Sequence, residues 1–135
     1  LRIVACKPAS ALHILFLGVA FVDISRLVML FPGQGSQTVG MGRELAENFS
    51  EYREALAEAS DALGYSMERL CFEDPEKQLN LTEYTQPALL ASSVATHRIL
   101  NKRGNLKSVT AVAGHSLGEY SALVCAGALG FADAL

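Results

Sequence analysis

The sequence predicts an α/β fold with parallel strands, and three observations carry that prediction. Leu27-Val28-Met29-Leu30-Phe31 is a short, uninterrupted apolar run, as expected for a buried strand of a parallel sheet. Val109 to Ala113 forms a second such strand, and helical patterns fill the chain between the two, an order that implies parallel neighbours. The second strand runs directly into Gly114-His115-Ser116-Leu117-Gly118, a tight turn that opens a helix.

The 135 residues suffice for one modest domain with one core. A hydrophobic fraction of 50% against 19% charged residues describes a foldable globular chain rather than a disordered one. The net charge is −3 and no basic cluster exceeds Lys102-Arg103, so nothing supports nucleic-acid binding. Cys6, Cys71 and Cys125 are odd in number, far apart and without a C-x-x-C pair. Neither a disulfide framework nor a zinc site is indicated, and reduced thiols in the cytoplasm are the default.

Residues 1–26 stand apart. The chain begins with Leu1, and the apolar run from Ala11 to Val22 meets Asp23 and Arg26 before it reaches the ~20 residues of a membrane span. No small-x-small cleavage site follows it, which argues against a secretory signal, and the shortness of the run means that stable membrane insertion is not expected. A buried helix, a dispensable extension or an anchor all fit the run. His13 within it is expected to be incidental.

Pro32-Gly33 ends the first strand, and Gly33-Gln34-Gly35-Ser36-Gln37 forms a polar loop at its carboxyl end, where open α/β sheets build their sites. The loop lacks the Lys of a phosphate-cradling loop and the spacing of a dinucleotide fingerprint. It offers small residues and free amides, or serves as a linker.

Met41, Leu45 and Phe49 fall at helical spacing. Ser50 is placed as the N-cap of a second helix that buries Tyr52, Ala55, Leu56, Ala59 and Leu63 and stops at Gly64. Its Glu51, Glu54, Glu58 and Asp61 form a solvated face. Ser66 to Cys71 forms a further short helix, and Glu73 to Glu76 a turn. Thr82 caps a long helix to Arg103 that admits Pro87 only in its first turn. Its His97 is structural or exposed.

A serine at the apex of a G-x-S-x-G turn sits on a strained elbow with its hydroxyl raised from the sheet edge. The helix that follows aims its positive end at the turn, which leaves the Leu117 amide free to donate to an oxyanion. The pentapeptide alone fits a nucleophilic Ser116 and equally a tight turn that carries a serine by chance.

Three motifs in order narrow that choice. Phe31-Pro32-Gly33-Gln34-Gly35-Ser36-Gln37, Thr85-Gln86-Pro87-Ala88-Leu89 and Gly114-His115-Ser116-Leu117-Gly118-Glu119-Tyr120, continued by Ser121 to Gly127, resemble the malonyl-CoA:acyl-carrier-protein transacylase family. The resemblance is closest to the stand-alone bacterial enzymes of type II fatty acid synthesis and covers the chain from about Leu27. It divides the chain into an extension, 1–26, and the amino-terminal part of an acyltransferase domain, 27–135. The fold so implied is a partial α/β-hydrolase-like three-layer domain without the family's small ferredoxin-like subdomain.

The resemblance implies that Ser116 takes malonyl from malonyl-CoA and passes it to the phosphopantetheine thiol of acyl carrier protein, with no cofactor. It places the backbone amides of Gln34 and Leu117 in the oxyanion hole, and Gln86 and His115 at the substrate. His115 adjoins the nucleophile in sequence but points elsewhere on an elbow, which makes it a poor base. The family's histidine base and its carboxylate-binding arginine match no position here. The chain is therefore expected to be a truncated transacylase with little or no turnover. A polyketide-type acyl selectivity, a lipase- or thioesterase-like hydrolase and a non-catalytic remnant are the alternatives.

Overall fold

The computed structural model describes residues 2–5, 12–13, 23–24, 27–103 and 109–135. Its elements in chain order are strands β1 (Arg2–Ala5), β2 (Leu12–His13), β3 (Asp23–Ile24) and β4 (Leu27–Phe31) and helices α1 (Arg43–Asn48), α2 (Ser50–Leu63), α3 (Met67–Phe72) and α4 (Thr82–Arg103). Strand β5 (Val109–Gly114) and helices α5 (Gly118–Cys125) and α6 (Phe131–Ala134) complete it.

Strands β4 and β5 pair in parallel, with Phe31 opposite Gly114, so the α/β arrangement is the one the sequence predicts. β1 lies antiparallel along the other edge of β5, with Arg2 opposite Gly114. Of the Ala11–Val22 run, Leu12–His13 is extended and pairs with Asp23–Ile24. The rest of that run, and with it the helix expected there, lies outside the described residues.

Burial in β4 departs from the expectation of a strand covered on both faces. Phe31 is buried and Met29 packs with it against Val112 and Ala122. Val28 and Leu30, pointing the other way, are 52% and 71% exposed. The described helices cover one face of this strand only, so burial alternates with the period of two that a strand imposes.

Most of the core is helical. Tyr52, Leu56, Met67, Leu79, Leu90 and Ala91 form its centre, where α2 crosses α4 on the small faces of Ala55, Ala59, Ala88 and Ala95. Gly64 ends α2 in the left-handed region (φ 77°), as predicted. Ser66 caps α3 by accepting from the Arg69 amide at 3.2 Å.

Three expectations give way to tertiary structure. Ser50 is the first residue of α2 rather than its cap, and Phe49 holds the cap position without a side-chain bond. Thr82 likewise opens α4, and Pro87 sits in the second turn. A proline there removes the bond to the Glu83 carbonyl, a cost that packing of the flanking Thr85, Ala88 and Leu89 offsets. The third concerns Glu51, expected on a solvated face and found only 4% exposed. Its carboxylate accepts from Nε and an Nη of Arg103 at 3.2 and 3.0 Å and lies 3.1 Å from the Lys102 ammonium. The end of α4 is thereby clamped to the start of α2, with Arg103 also lying 5.0 Å over the Phe49 ring.

Among the described residues no helix is long and apolar enough to cross a membrane, and no cluster of ligand side chains could hold a metal ion.

The Arg103 hydrogen bond, with help from Lys102, lowers the Glu51 carboxyl from an ordinary 4.5 to about 2. A depressed folded-state value stabilises the fold above the unfolded value and ceases to do so as pH falls through the folded one. Glu51→Gln should melt several degrees below the parent at neutral pH. The gap should close as pH falls from 4.5 towards 2, which calorimetric melts of the two proteins across that range will measure.

Candidate functional site

The elbow is built from backbones in contact. A Cβ placed on Gly114 would overlap the backbone of Gly118 and Glu119. One on Gly118 would overlap the carbonyls of Phe31 and Pro32. Only glycine at both positions lets β4, β5 and the start of α5 meet this closely. The turn is closed by bonds from the Gly118 amide to the His115 carbonyl (2.9 Å) and from the Glu119 amide to the Ser116 carbonyl (3.0 Å). The His115 amide donates across to the Phe31 carbonyl at 3.2 Å, which ties the elbow to the strand beside it.

Ser116 sits at φ 53°, in the left-handed region that side chains avoid, and it is exposed. Such a residue persists only where its surroundings over-determine it. Here the two crowded glycines on either side do so.

The loop after β4 lies against this serine. A Cβ on Gly33 would stand 3.4 Å from the Ser116 Cβ, 3.0 Å from Nδ1 of His115 and 2.7 Å from the His115 carbonyl. The next residue, Gln34, donates from Nε2 to the Thr82 hydroxyl at 3.1 Å. Among the described residues, neither the Gln34 nor the Leu117 amide donates to a protein acceptor. Both are free to meet an oxyanion.

A cleft of about 810 Å³ borders the elbow, walled by Thr82, Glu83, Gln86 and Leu90 of α4, by Leu117 and Tyr120, and by Asp133 of α6. Of the residues singled out in the sequence, Gln86 and Leu117 share this cleft, and Gln34 reaches its rim through Thr82. Ser116 and His115 stand on the exposed turn adjoining it, His115 packed beside Gly33. Tyr120 and Thr82 stood in the sequence only as the end of a motif and as a helix cap, not as site residues. Their signal was position: one is the last residue of the elbow motif, the other opens the helix that carries Gln86.

The charge in the cleft is negative. Glu83 and Asp133 are its charged lining residues, and none of the described residues lining it is a cation. His97 lies on the far side of α4, in a separate cavity with Met29, Leu30 and Leu100, and burial, aided by Arg98, lowers its pKa. No described imidazole hydrogen-bonds Ser116. Burial pushes the Cys71 and Cys125 thiols up to about 12, so neither is a thiolate near neutral pH. Ser116 has no thiol rival among the described residues. An exposed hydroxyl on the same turn as the free Leu117 amide, with the Gly33–Gln34 loop against it and an open cleft alongside, can accept an acyl group and steady the tetrahedral oxyanion.

Comparison with known proteins identifies a family. The acyl transferase domain family matches residues 28–135. The chain is 51% identical over 112 residues to the malonyl CoA-acyl carrier protein transacylase of Escherichia coli K12, covering 83% of this chain and 36% of that one. The acyl carrier protein S-malonyltransferase structure from Vibrio cholerae superposes with a TM-score of 0.73 at 49% identity, over 79% of this chain and 35% of that one. A type II polyketide acyl-carrier protein in complex with its malonyl-transacylase gives a TM-score of 0.77 at 52% identity, over 81% and 35%. The chain thus spans about a third of the length of the relatives it matches.

Two substitutions read the elbow's strain in opposite directions. Gly114→Ala forces a Cβ into backbone and should lower stability by about 3 kcal/mol or more. Ser116→Gly relieves the left-handed residue and should raise it by about 1 kcal/mol. Urea unfolding of both variants beside the parent measures each.

Proposed function

This chain belongs to the acyl transferase domain family, and from that premise we propose that Ser116 carries the acyl group in a two-step transfer. The Ser116 hydroxyl attacks the thioester carbonyl of malonyl-CoA, the coenzyme A thiol departs with the hydroxyl proton, and malonyl remains on Oγ as an ester. The phosphopantetheine thiol of acyl carrier protein then attacks that ester, takes the malonyl group and returns the proton to the serine. The amides of Leu117 and Gln34 hold the oxyanion of each tetrahedral intermediate, which is worth several kcal/mol for preorganised donors. Gln86 borders the acyl group from α4, and His115 packs under the Gly33 turn rather than serving as base. Residues 27–135 are the family unit, and 1–26 are an addition to it.

The observation that carries this reading is the strained, exposed Ser116 with the Leu117 and Gln34 amides unspent beside it. The acyl group and the carrier come from the relatives, which are malonyl CoA-acyl carrier protein transacylases, one of them solved with a type II polyketide acyl-carrier protein.

By itself the 135-residue chain turns over little. Two features support this: no described imidazole hydrogen-bonds Ser116, and the described lining of the cleft presents Glu83 and Asp133, with no cation, to an acyl group that bears a carboxylate. A serine without a base reacts slowly, and the acyl carboxylate meets charge of its own sign.

Intact-mass spectrometry after incubation with malonyl-CoA tests both statements. A slow, single malonyl adduct that Ser116→Ala abolishes is expected, with no sustained transfer to carrier protein. Repeated turnover would refute the inactivity of the chain alone, and an adduct that survives Ser116→Ala would remove Ser116 from its role.

A further inference from the structure

Two motif residues stand idle in the acyl-transfer scheme, Gln37 at the end of the first motif and Thr85 at the start of the second. Hydrogen bonds tie both to the short segment that leads into α4. The Gln37 amide group bridges in both directions: Oε1 accepts from the Gly35 amide at 2.8 Å, and Nε2 donates to Oδ1 of Asn80 at 3.0 Å. Gln34 donates to Thr82, two residues further on, at 3.1 Å. Within the loop, the Ser36 hydroxyl donates to the Gly33 carbonyl at 2.9 Å.

The segment that receives these bonds is itself held from both ends. Oδ1 of Asp74 accepts from the amides of Gln78 (2.7 Å) and Leu79 (3.1 Å). From the other side the wholly buried Thr85 hydroxyl reaches the carbonyls of Leu79 (2.6 Å) and Leu81 (3.0 Å). Leu79 is sunk in the core at 1% exposure, so Asn80 projects from a backbone fixed on either side. An exposed side-chain bond between two mobile partners contributes little, because ordering them costs rotamer entropy. A bond to an anchored partner forgoes half of that cost.

We propose that Asn80 and Thr82 are positioning residues that hold the β4–α1 loop so that the Gln34 amide faces Ser116. Asn80 orients Gln37, Gln37 pins the Gly35 amide, and Thr82 restrains Gln34 by its side chain. The peptide that carries the Gln34 amide is thus fixed on both sides, in a loop whose Gly35 adopts φ 107°. The inference rests on the role given above to the Gln34 amide. An oxyanion donor acts by being in place before charge develops, and a loop free to drift forfeits that advantage.

The test uses the full chain and compares the parent with Asn80→Ala and Asn80→Asp, the latter keeping an acceptor for Gln37. Amide hydrogen exchange at Gly35 reports the lacing, and the second-order rate of Ser116 sulfonylation by phenylmethanesulfonyl fluoride, followed by intact mass, reports the oxyanion site. Asn80→Ala should speed Gly35 exchange about fivefold or more and slow sulfonylation about tenfold. Asn80→Asp should restore both, and neither variant should move the melting temperature appreciably. Unchanged Gly35 exchange in Asn80→Ala overturns the proposal, and so does a loss that Asn80→Asp fails to restore or that merely tracks the melting temperature. A parent whose Ser116 does not react would instead count against the acyl-transfer reading, and the Gly35 exchange would still decide the lacing.

Discussion

The site depends on one steric constraint, the backbone approach at Gly114 and Gly118. Gly114 faces the backbone at Gly118, and Gly118 faces the carbonyls of Phe31 and Pro32. With a side chain on either, α5 could not start so close to the sheet. Ser116 would leave the left-handed conformation that presents its hydroxyl, and the Gly33 turn would lose the neighbour it packs against. The unspent amide of Leu117 and the nearness of the Gly33 turn both follow from a contact in which no side chain takes part.

The helices do a different job from the sheet. Most buried apolar residues belong to the α1–α4 assembly with α6, whereas Phe31, Val112 and Ala122 make a second, small cluster under the strands. Cys125 touches both. The larger cluster fixes α4, and α4 carries Gln86 and Thr82 to the cleft. The Glu51 clamp with Lys102 and Arg103 secures the far end of that same helix. A helix 22 residues long, held at one end by charge and along its middle by packing, can present its first turns to a reacting centre with little play.

Much of this was legible in the sequence because it is local. The apolar run of β4, the stop at Gly64, the elbow and the parallel pairing all follow from short-range pattern and order. What escaped is non-local or contradicts a local rule. Glu51 shares a helix stripe with Glu54, Glu58 and Asp61, and nothing within α2 shows that its end of the stripe lies under α4, 52 residues later. Pro87 breaks a propensity rule that packing on both sides overrides. The bonds from Gln34 and Gln37 to Thr82 and Asn80 span 48 and 43 residues and join side chains with no sequence signature of pairing. The open face of β4 was missed for a related reason. An apolar run states that a strand can be covered, while the described helices cover one side.

The register of β4 on β5 carries a further consequence, one of time. The Thr110 hydroxyl meets the Leu27 carbonyl across 83 residues, and helices α1 to α4 lie between them. At ribosomal rates of about 5–20 residues per second, β4 waits roughly 4–16 seconds for its partner. The helical contacts are nearer in sequence and are available first. Through that interval Val28 and Leu30 are as bare as they are in the finished fold, and Met29 and Phe31 are bare too. The loop that will face the serine is made long before the serine itself, so the two halves of the site have different ages in every molecule.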